Sequence, residues 1–321
     1  MSRILVTGGA GFVGSYIVRR LLRDGHDVTV YDSFVQYMLP DPRQAQPNLA
    51  LRLHDVVDRI KLVRGDTLNK DFLRRQIVAA KPDVIIHMAA MPLAALAIEH
   101  TEEAFQSILT STQNILEILR DLQAPCRLAF ASSSMVYGDF LTETVNEEHP
   151  KNPKDIYGAF KLAGEIVVRA YARNYNLDTV IFRPSAVYGP LDANNRVIQK
   201  FIRMAMEGKP LTIDGDGSMK MDFTFVEDCA DAIVSCSLHP DARGETFNVT
   251  RGEARSLADL IDILRTHFPG LKIERRPKPA YVPLRGTLNI DKARRVCGYE
   301  PKVSLDAGVA RYVEHLKTNA Y

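Results

Sequence analysis

A glycine-rich turn set between an apolar run and an amphipathic stretch constrains this chain more than any other feature. Ile4-Leu5-Val6, within Arg3–Thr7, reads as a buried strand. It passes directly into Thr7-Gly8-Gly9-Ala10-Gly11-Phe12-Val13-Gly14, and Ser15 to Arg23 continues as an amphipathic helix that ends at Gly25. Gly8 permits a turn that a Cβ would obstruct, Gly11 lets the backbone come close to a ligand, and Gly14 lets the helix pack on the strand. The helix start at Phe12 and Val13 offers free N–H groups and the positive end of the helix dipole, which suit phosphate oxygens. A second apolar strand, Val28-Thr29-Val30-Tyr31, ends in Asp32, about 20 residues further on, where a carboxylate can bind a ribose diol. A lone glycine pattern also marks tight surface turns. Here strand, helix and acid all stand in place, and the stretch reads as a dinucleotide site. The Asp32 carboxylate would repel a 2′-phosphate, which favours NAD over NADP.

The rhythm set by this unit continues. Strands are expected at Arg3–Thr7, Val28–Asp32, Ile60–Arg64, Val84–Met88, Arg127–Ala131 and Val180–Arg183. Helices are expected at Phe12–Asp24, Lys70–Ala80, Thr101–Asp121 and Ile156–Tyr175. Such alternation specifies an α/β fold, a Rossmann doubly wound parallel sheet covered by helices on both faces. Ser33 to His54 interrupts it with Pro40, Pro42 and Pro47 and reads as a long surface loop. Past Pro184 the pattern changes to helices at Val197–Glu207, Glu227–Leu238, Ser256–Phe268, Asp291–Cys297 and Leu305–Lys317, with a basic, proline-rich loop at Arg275–Pro283. The expected domains are 1–184 for the dinucleotide and 185–321 for a smaller substrate-binding lobe, with the chain free to cross back between them.

Bulk properties remove several function classes. A net charge of +2 gives no reason to propose a nucleic-acid or membrane partner. No apolar run approaches the ~20 residues of a membrane helix. The first strand begins at once, so no signal peptide is expected and the compartment is read as cytoplasmic. Cys126, Cys229, Cys236 and Cys297 are scattered, and the histidines form no ligand-spaced pair, so no metal is expected. The cysteines read as small core residues of a reducing compartment.

Several strand ends carry chemistry. Asp66, after Val63-Arg64-Gly65, could accept from an adenine amino group while the backbone at Thr67 reads the ring; otherwise Asp66 caps the helix near Asn69. Small Ala89 and Ala90 let backbone lie against a nicotinamide ribose, and His87 reads as a hydrogen-bonded wall residue. Ser132-Ser133-Ser134 follows the fifth strand, where side chains face the ligand crevice. Tyr157 and Lys161, four apart, share one helix face. The Lys161 ammonium, with a positive nicotinamide ring, would lower the phenol pKa, so that a tyrosinate takes the proton of an alcohol while the cofactor takes the hydride.

These residues resemble the extended short-chain dehydrogenase/reductase family, and within it the nucleotide-sugar epimerases and dehydratases. The resemblance spans nearly the whole chain: Thr7–Gly14, Asp32, Gly65-Asp66, His87–Ala90, Ser132–Gly138, Tyr157/Lys161, Arg183–Pro190, Asp214–Gly217, Asp222–Asp228 and Asn289–Arg294. It implies tightly held NAD, a sugar-nucleotide lobe, and a homodimer through a four-helix bundle supplied by Thr101–Asp121 and Ile156–Tyr175. It makes Ser133, Tyr157 and Lys161 the catalytic set. It adds Met88 and Pro184 to the cofactor residues, and it assigns Met91, Ser134, Met135, Ser185, Lys220 and Arg285 to substrate.

The departures narrow the chemistry. Ser134 and Met135 stand where 4,6-dehydratases carry Asp and Glu, and neither can move a proton in an elimination. Ala186 stands where the family often has Asn, and Met221 where it often has Arg. Lys220 is the adjacent cation, although neighbouring strand residues point to opposite faces. The expected function is therefore NAD-dependent nucleotide-sugar epimerisation at C4 through a transient 4-ketone. The alternatives are a net NAD-dependent dehydrogenase or reductase (or a decarboxylase or dehydratase) on a sugar or sugar acid, and a nonenzymatic dinucleotide sensor.

Overall fold

The computed structural model describes residues 1–35, 52–123, 125–277 and 283–319. Seven parallel strands form the central sheet: β1 (Arg3–Thr7), β2 (Asp27–Asp32), β3 (Lys61–Arg64), β4 (Val84–His87), β5 (Arg127–Ala131), β6 (Thr179–Arg183) and β7 (Thr246–Asn248). Their order is β7-β6-β5-β4-β1-β2-β3. Among the described residues the α-helices of seven residues or more are α1 (Phe12–Arg23), α2 (Lys70–Ala80), α3 (Ser111–Leu122), α4 (Ile156–Tyr175), α5 (Val197–Met206), α6 (Val226–Leu238), α7 (Leu257–His267), α8 (Asp291–Cys297) and α9 (Leu305–Thr318).

Alternation along each strand divides the core in two. Ile4, Val6, Val28, Val30, Ile86 and Phe182 face α1 and α6 on one side. Leu5, Tyr31, Ile85, Leu128, Phe130 and Ile181 face α2, α3 and α4 on the other. With both faces covered, the strands read as continuous apolar runs, which is why six of them stand out in the sequence. The seventh, β7, is three residues long and is defined by pairing with β6 at Thr246–Ile181, Phe247–Phe182 and Asn248–Arg183. Cys229, Ile233 and Cys236 of α6, Phe247 of β7 and Ala293 of α8 all lie in the core that contains β1. A smaller core gathers Tyr188, Phe201, Ile202, Leu211, Phe223, Phe225, Leu260, Leu264, Val309 and Tyr312 around α5, α7 and α9.

Two local differences from the sequence expectation have physical causes. The expected helix Thr101–Asp121 is interrupted by a π-turn at Gln106–Thr110, which separates a short helix, Thr101–Phe105, from α3. Arg275 and Arg276, expected in a loop, end a strand, Ile273–Arg276, that pairs in parallel with Leu211–Asp214; backbone pairing overrides their exposed, charged character. Of the expected Ser33–His54 loop, residues 36–51 lie outside the described residues. Arg52, at its far end, is buried and donates from Nε to the Leu191 carbonyl at 3.0 Å and from Nη1 to the Ala10 carbonyl at 3.3 Å.

Candidate active site

Strand register brings the candidate residues to one edge. Thr7 lies beside Tyr31 and His87, Asp32 beside Arg64, His87 beside Phe130, and Ala131 beside Phe182. The connection order reverses across β1 and β4, the crevice where open α/β sheets bind ligands. A cavity of about 780 Å³ opens there. Its glycine-turn end is lined by Gly8, Gly11, Phe12, Val13, Asp32, Asp66, Thr67, Met88, Ala89 and Ala90. Its other end is lined by Met91, Ser133, Ser134, Met135, Tyr157, Lys161, Pro184, Ser185 and Arg285.

The glycine turn is tight on both sides. Gly8 has φ +69°, and a Cβ on it would lie 2.7 Å from the Ala89 nitrogen, so the turn abuts the β4 end of the crevice. A Cβ on Gly14 would lie 2.2 Å from the Gly8 carbonyl oxygen, so any side chain would drive α1 off the turn. No side chain caps α1 at Gly11, and its first turn holds no acid. Its N–H groups and dipole therefore suit an anion from outside. Asp32 is largely buried and accepts from the Ala10 N–H at 2.9 Å and the Phe34 N–H at 2.7 Å. Burial pushes its carboxyl above the ordinary range, opposed by those two N–H groups. A carboxylate has about four acceptor positions, so acceptor capacity remains for a diol. Asp66 accepts from the Leu68 N–H at 2.8 Å, while Asn69 caps α2 by accepting from the Phe72 N–H at 3.1 Å. The cap is therefore Asn69, and Asp66 stays on the cavity wall. A diol acceptor, a glycine cradle and an uncapped helix start fit an NAD molecule.

At the other end, Asp155 caps α4 by accepting from the Gly158 N–H at 2.7 Å, which fixes Tyr157 in the first turn. Ser133 lines the cavity with Tyr157, and its hydroxyl accepts from the Met135 N–H at 3.2 Å. Lys161 Nζ donates to the Ala131 carbonyl at 2.7 Å and lies 5.8 Å from the centre of the Tyr157 ring. Burial pushes the Tyr157 phenol above its ordinary value, opposed first by the Arg196 charge and then by the Ser133 hydroxyl. Among the protein's own charges, the cation that opposes this most is Arg196. Burial pulls Lys161 down to about 8, opposed by Glu165. His87 is enclosed between the Thr7 hydroxyl at 2.7 Å and the Ser111 hydroxyl at 3.3 Å, and burial first, then the Lys161 charge, lower it to about 3. It is neutral and hydrogen-bonded, but buried rather than part of the cavity lining.

Arg285 Nη1 donates to the Ser134 hydroxyl at 3.0 Å, Nη2 contacts Met135 Sδ, and the guanidinium stands 5.7 Å from the Phe140 ring centre. Burial lowers it to about 10. Lys220 does not join this group. Its ammonium pairs with Glu143 at 2.7 Å outside the cavity, while its neighbour Met221 lines the wall. The alternation of side chains along a strand turns Lys220 outward. Ala186 also lines the cavity and holds φ +39°, a left-handed conformation that Asn tolerates better than Ala.

Several cavity residues carry little sequence signal. Ser107, on the π-turn, accepts from the Met91 N–H at 3.2 Å and lines the wall with Glu103. Arg203 on α5 and Arg196, the residue just before it, line it too. Arg196 is held by Asp192 at 2.7 Å and lies 5.7 Å from the centre of the Phe12 ring. Asp222, in the Asp222–Asp228 motif, accepts from the Leu288 N–H at 3.1 Å and the Thr250 hydroxyl at 3.2 Å. Burial pushes its carboxyl up to about 6. Among the described residues no group of three or more His, Cys, Asp or Glu could hold a metal, and no helix is long and apolar enough to cross a membrane.

The family model described as "NAD dependent epimerase/dehydratase family" matches residues 4–250. A UDP-glucose 4-epimerase of Mycolicibacterium smegmatis is 30% identical over 327 residues, covering 99% of both chains. The solved structure of UDP-glucuronic acid 4-epimerase from Bacillus cereus, in complex with UDP-glucuronic acid and NAD, superposes with a TM-score of 0.88 at 29% identity, covering 98% of this chain and 99% of that one. The Thermus thermophilus UDP-glucose 4-epimerase complex with NAD gives a TM-score of 0.83 at 26% identity, covering 98% and 99%.

Proposed function

The chain belongs to the NAD dependent epimerase/dehydratase family and is an NAD-dependent enzyme, and from that premise we propose that it inverts C4 of a nucleotide sugar. The observation that carries this reading is the convergence of Ser133, Tyr157 and Lys161 on a cavity continuous with the glycine turn and Asp32. Gly8, Gly11, Phe12, Val13, Asp32, Asp66, Thr67, Met88, Ala89, Ala90 and Pro184 hold NAD, which supplies a hydride acceptor and later a hydride donor. Tyr157 takes the proton of the sugar 4-hydroxyl and returns it to the same oxygen once C4 has been reduced from its other face. Ser133 orients that hydroxyl, and the Lys161 and Arg196 charges favour the ionised phenol. Met91, Ser134, Met135, Ser185 and Arg285 line the substrate end. Ser134 and Met135 provide no acid or base for loss of water, which favours epimerisation over dehydration.

Relatives that act on UDP-glucose and bind UDP-glucuronic acid define the first substrates to try. Incubation of the NAD-loaded protein with each UDP-sugar, followed by NMR of the sugar ring, is expected to show the C4-inverted product at equilibrium without net NADH. Stoichiometric NADH would replace the reading by a net dehydrogenase. A 4-keto-6-deoxy product would replace it by a dehydratase.

The same reading includes a homodimer packed through α3 and α4. Ile166 and Tyr175 on α4 are 57% and 47% exposed, and Phe105, just ahead of α3, is 47% exposed. These form apolar surface of the kind that partners cover. Sedimentation equilibrium is expected to give twice the chain mass, and Ile166→Glu to give a monomer. A wild-type monomer at micromolar concentration would remove the dimer from the proposal.

A further inference from the structure

Two consecutive residues at the end of β5 are held by one face of α4, and the next, Ser133, shares the cavity with Tyr157 of that face. The Ala131 carbonyl accepts from Lys161 Nζ at 2.7 Å and the Ser132 hydroxyl donates to Glu165 Oε1 at 2.6 Å, while Ser133 and Tyr157 line one cavity. Residues 157, 161 and 165 are spaced by four, so they form one stripe along the helix. Glu165 is fully buried, as is Arg183 at the end of β6. Its carboxylate is filled: Oε1 also accepts from Arg183 Nε at 2.8 Å, and Oε2 accepts from Arg183 Nη2 at 2.7 Å and Arg169 Nη2 at 3.0 Å. Arg183 Nη1 then donates to the Tyr137 hydroxyl and to the Glu147 carbonyl, both at 2.9 Å. A buried ion pair of this kind is seldom the most stable filling of a core; apolar residues of the same volume often do as well or better. Its retention beneath the reaction end calls for another reason.

We propose that Glu165 is a positioning residue, which sets the height of the Ser133 hydroxyl against the Tyr157 phenol by gripping Ser132, with Arg183 as its fixed anchor. The proposal rests on the roles of Ser133 and Tyr157 given above. One residue of slip between β5 and α4 would turn Ser133 away from the phenol. The hydroxyl of Ser132 is the one link between the Glu165 carboxylate and that strand end that can be cut without disturbing the ion pair. Glu165 also faces Lys161 and opposes the effect of its burial. The other charged groups around the phenol are Asp155 at the start of α4, Arg196 ahead of α5, and Glu103 and Arg285 on the cavity wall, with His87 neutral behind Lys161.

The test uses the NAD-loaded protein and the variants Ser132→Ala, Ser132→Thr and Glu165→Gln. The chain contains no tryptophan, so ultraviolet tyrosinate absorbance is read without indole background. Subtracting the matching Tyr157→Phe protein isolates this phenol. In Ser132→Ala the Tyr157 ionisation is expected to move to higher pH by about one unit, because the Ser133 hydroxyl that favours the phenolate is held less closely. Turnover falls roughly ten- to a hundredfold with KM little changed. Ser132→Thr, which keeps the hydroxyl, restores both. In Glu165→Gln the alkaline limb of the pH–rate profile, set by Lys161, moves to lower pH. A Ser132→Ala protein with wild-type phenol titration and wild-type turnover overturns the proposal. If no nucleotide sugar is turned over by any form, yet the titration still shifts in Ser132→Ala and returns in Ser132→Thr, the positioning role stands and the epimerase reading falls.

Discussion

Tyr157→Phe is expected to lower kcat by roughly 10²–10⁴-fold, the usual worth of a positioned general acid or base, or about 3–5 kcal/mol on the barrier. The substitution removes one hydroxyl from a partly buried ring. The ring keeps its packing against Met91, Ala97 and Ala104, so the fold and NAD content should match the parent. KM should change little, because proton transfer is an interaction of the transition state more than of the bound sugar. Single-turnover kinetics on the NAD-loaded variant check this directly. Turnover within threefold of wild type would take Tyr157 out of the chemistry and leave Ser133 or a bound water as the proton acceptor.

Arg183→Met is expected to give the largest loss of stability, about 3–5 kcal/mol, since it leaves the buried Glu165 carboxylate with only the partly exposed Arg169 as its cation. The Arg183 and Glu165 side chains are 0% exposed, so solvent does not screen the loss. The variant also deprives the Tyr137 hydroxyl and the Glu147 carbonyl of a donor. Removing both partners, as Glu165→Leu with Arg183→Met, should recover much of the stability, because an apolar pair of similar volume leaves no fully buried charge unpaired; Arg169, the third member, is partly exposed. By the positioning argument it should not recover turnover, since Ser132 has lost its acceptor. Urea unfolding checks the stability prediction. A single variant whose midpoint equals the parent's would show that the buried carboxylate finds a proton or another partner at no cost.

Much of this molecule was legible from residue order. Buried parallel strands are largely apolar, so β1, β2, β4, β5 and β6 announce themselves, and the edge strand β3 shows only a short apolar centre. The Gly8–Gly14 turn, Asp32 and the Tyr157/Lys161 pair belong to short local patterns with mechanical reasons for their spacing. The cavity wall was harder. Ser107 reaches Met91 through a π-turn that no pattern announces, and Arg196 joins the site by lying over Phe12, far away in sequence. Lys220 was placed by proximity to Met221, and the pleat of its strand sends it the other way.

Local sequence therefore determined the α/β alternation, the dinucleotide turn and the Tyr157/Lys161 pair, because each depends on residues within a few turns of one another. Only the tertiary structure decided which charges the phenol feels, where β7 and α6 pack, and that Glu165, Ser132 and Arg183 form one buried assembly. Those outcomes depend on distance and burial between segments remote in the chain, and electrostatic strength and desolvation are set by that packing.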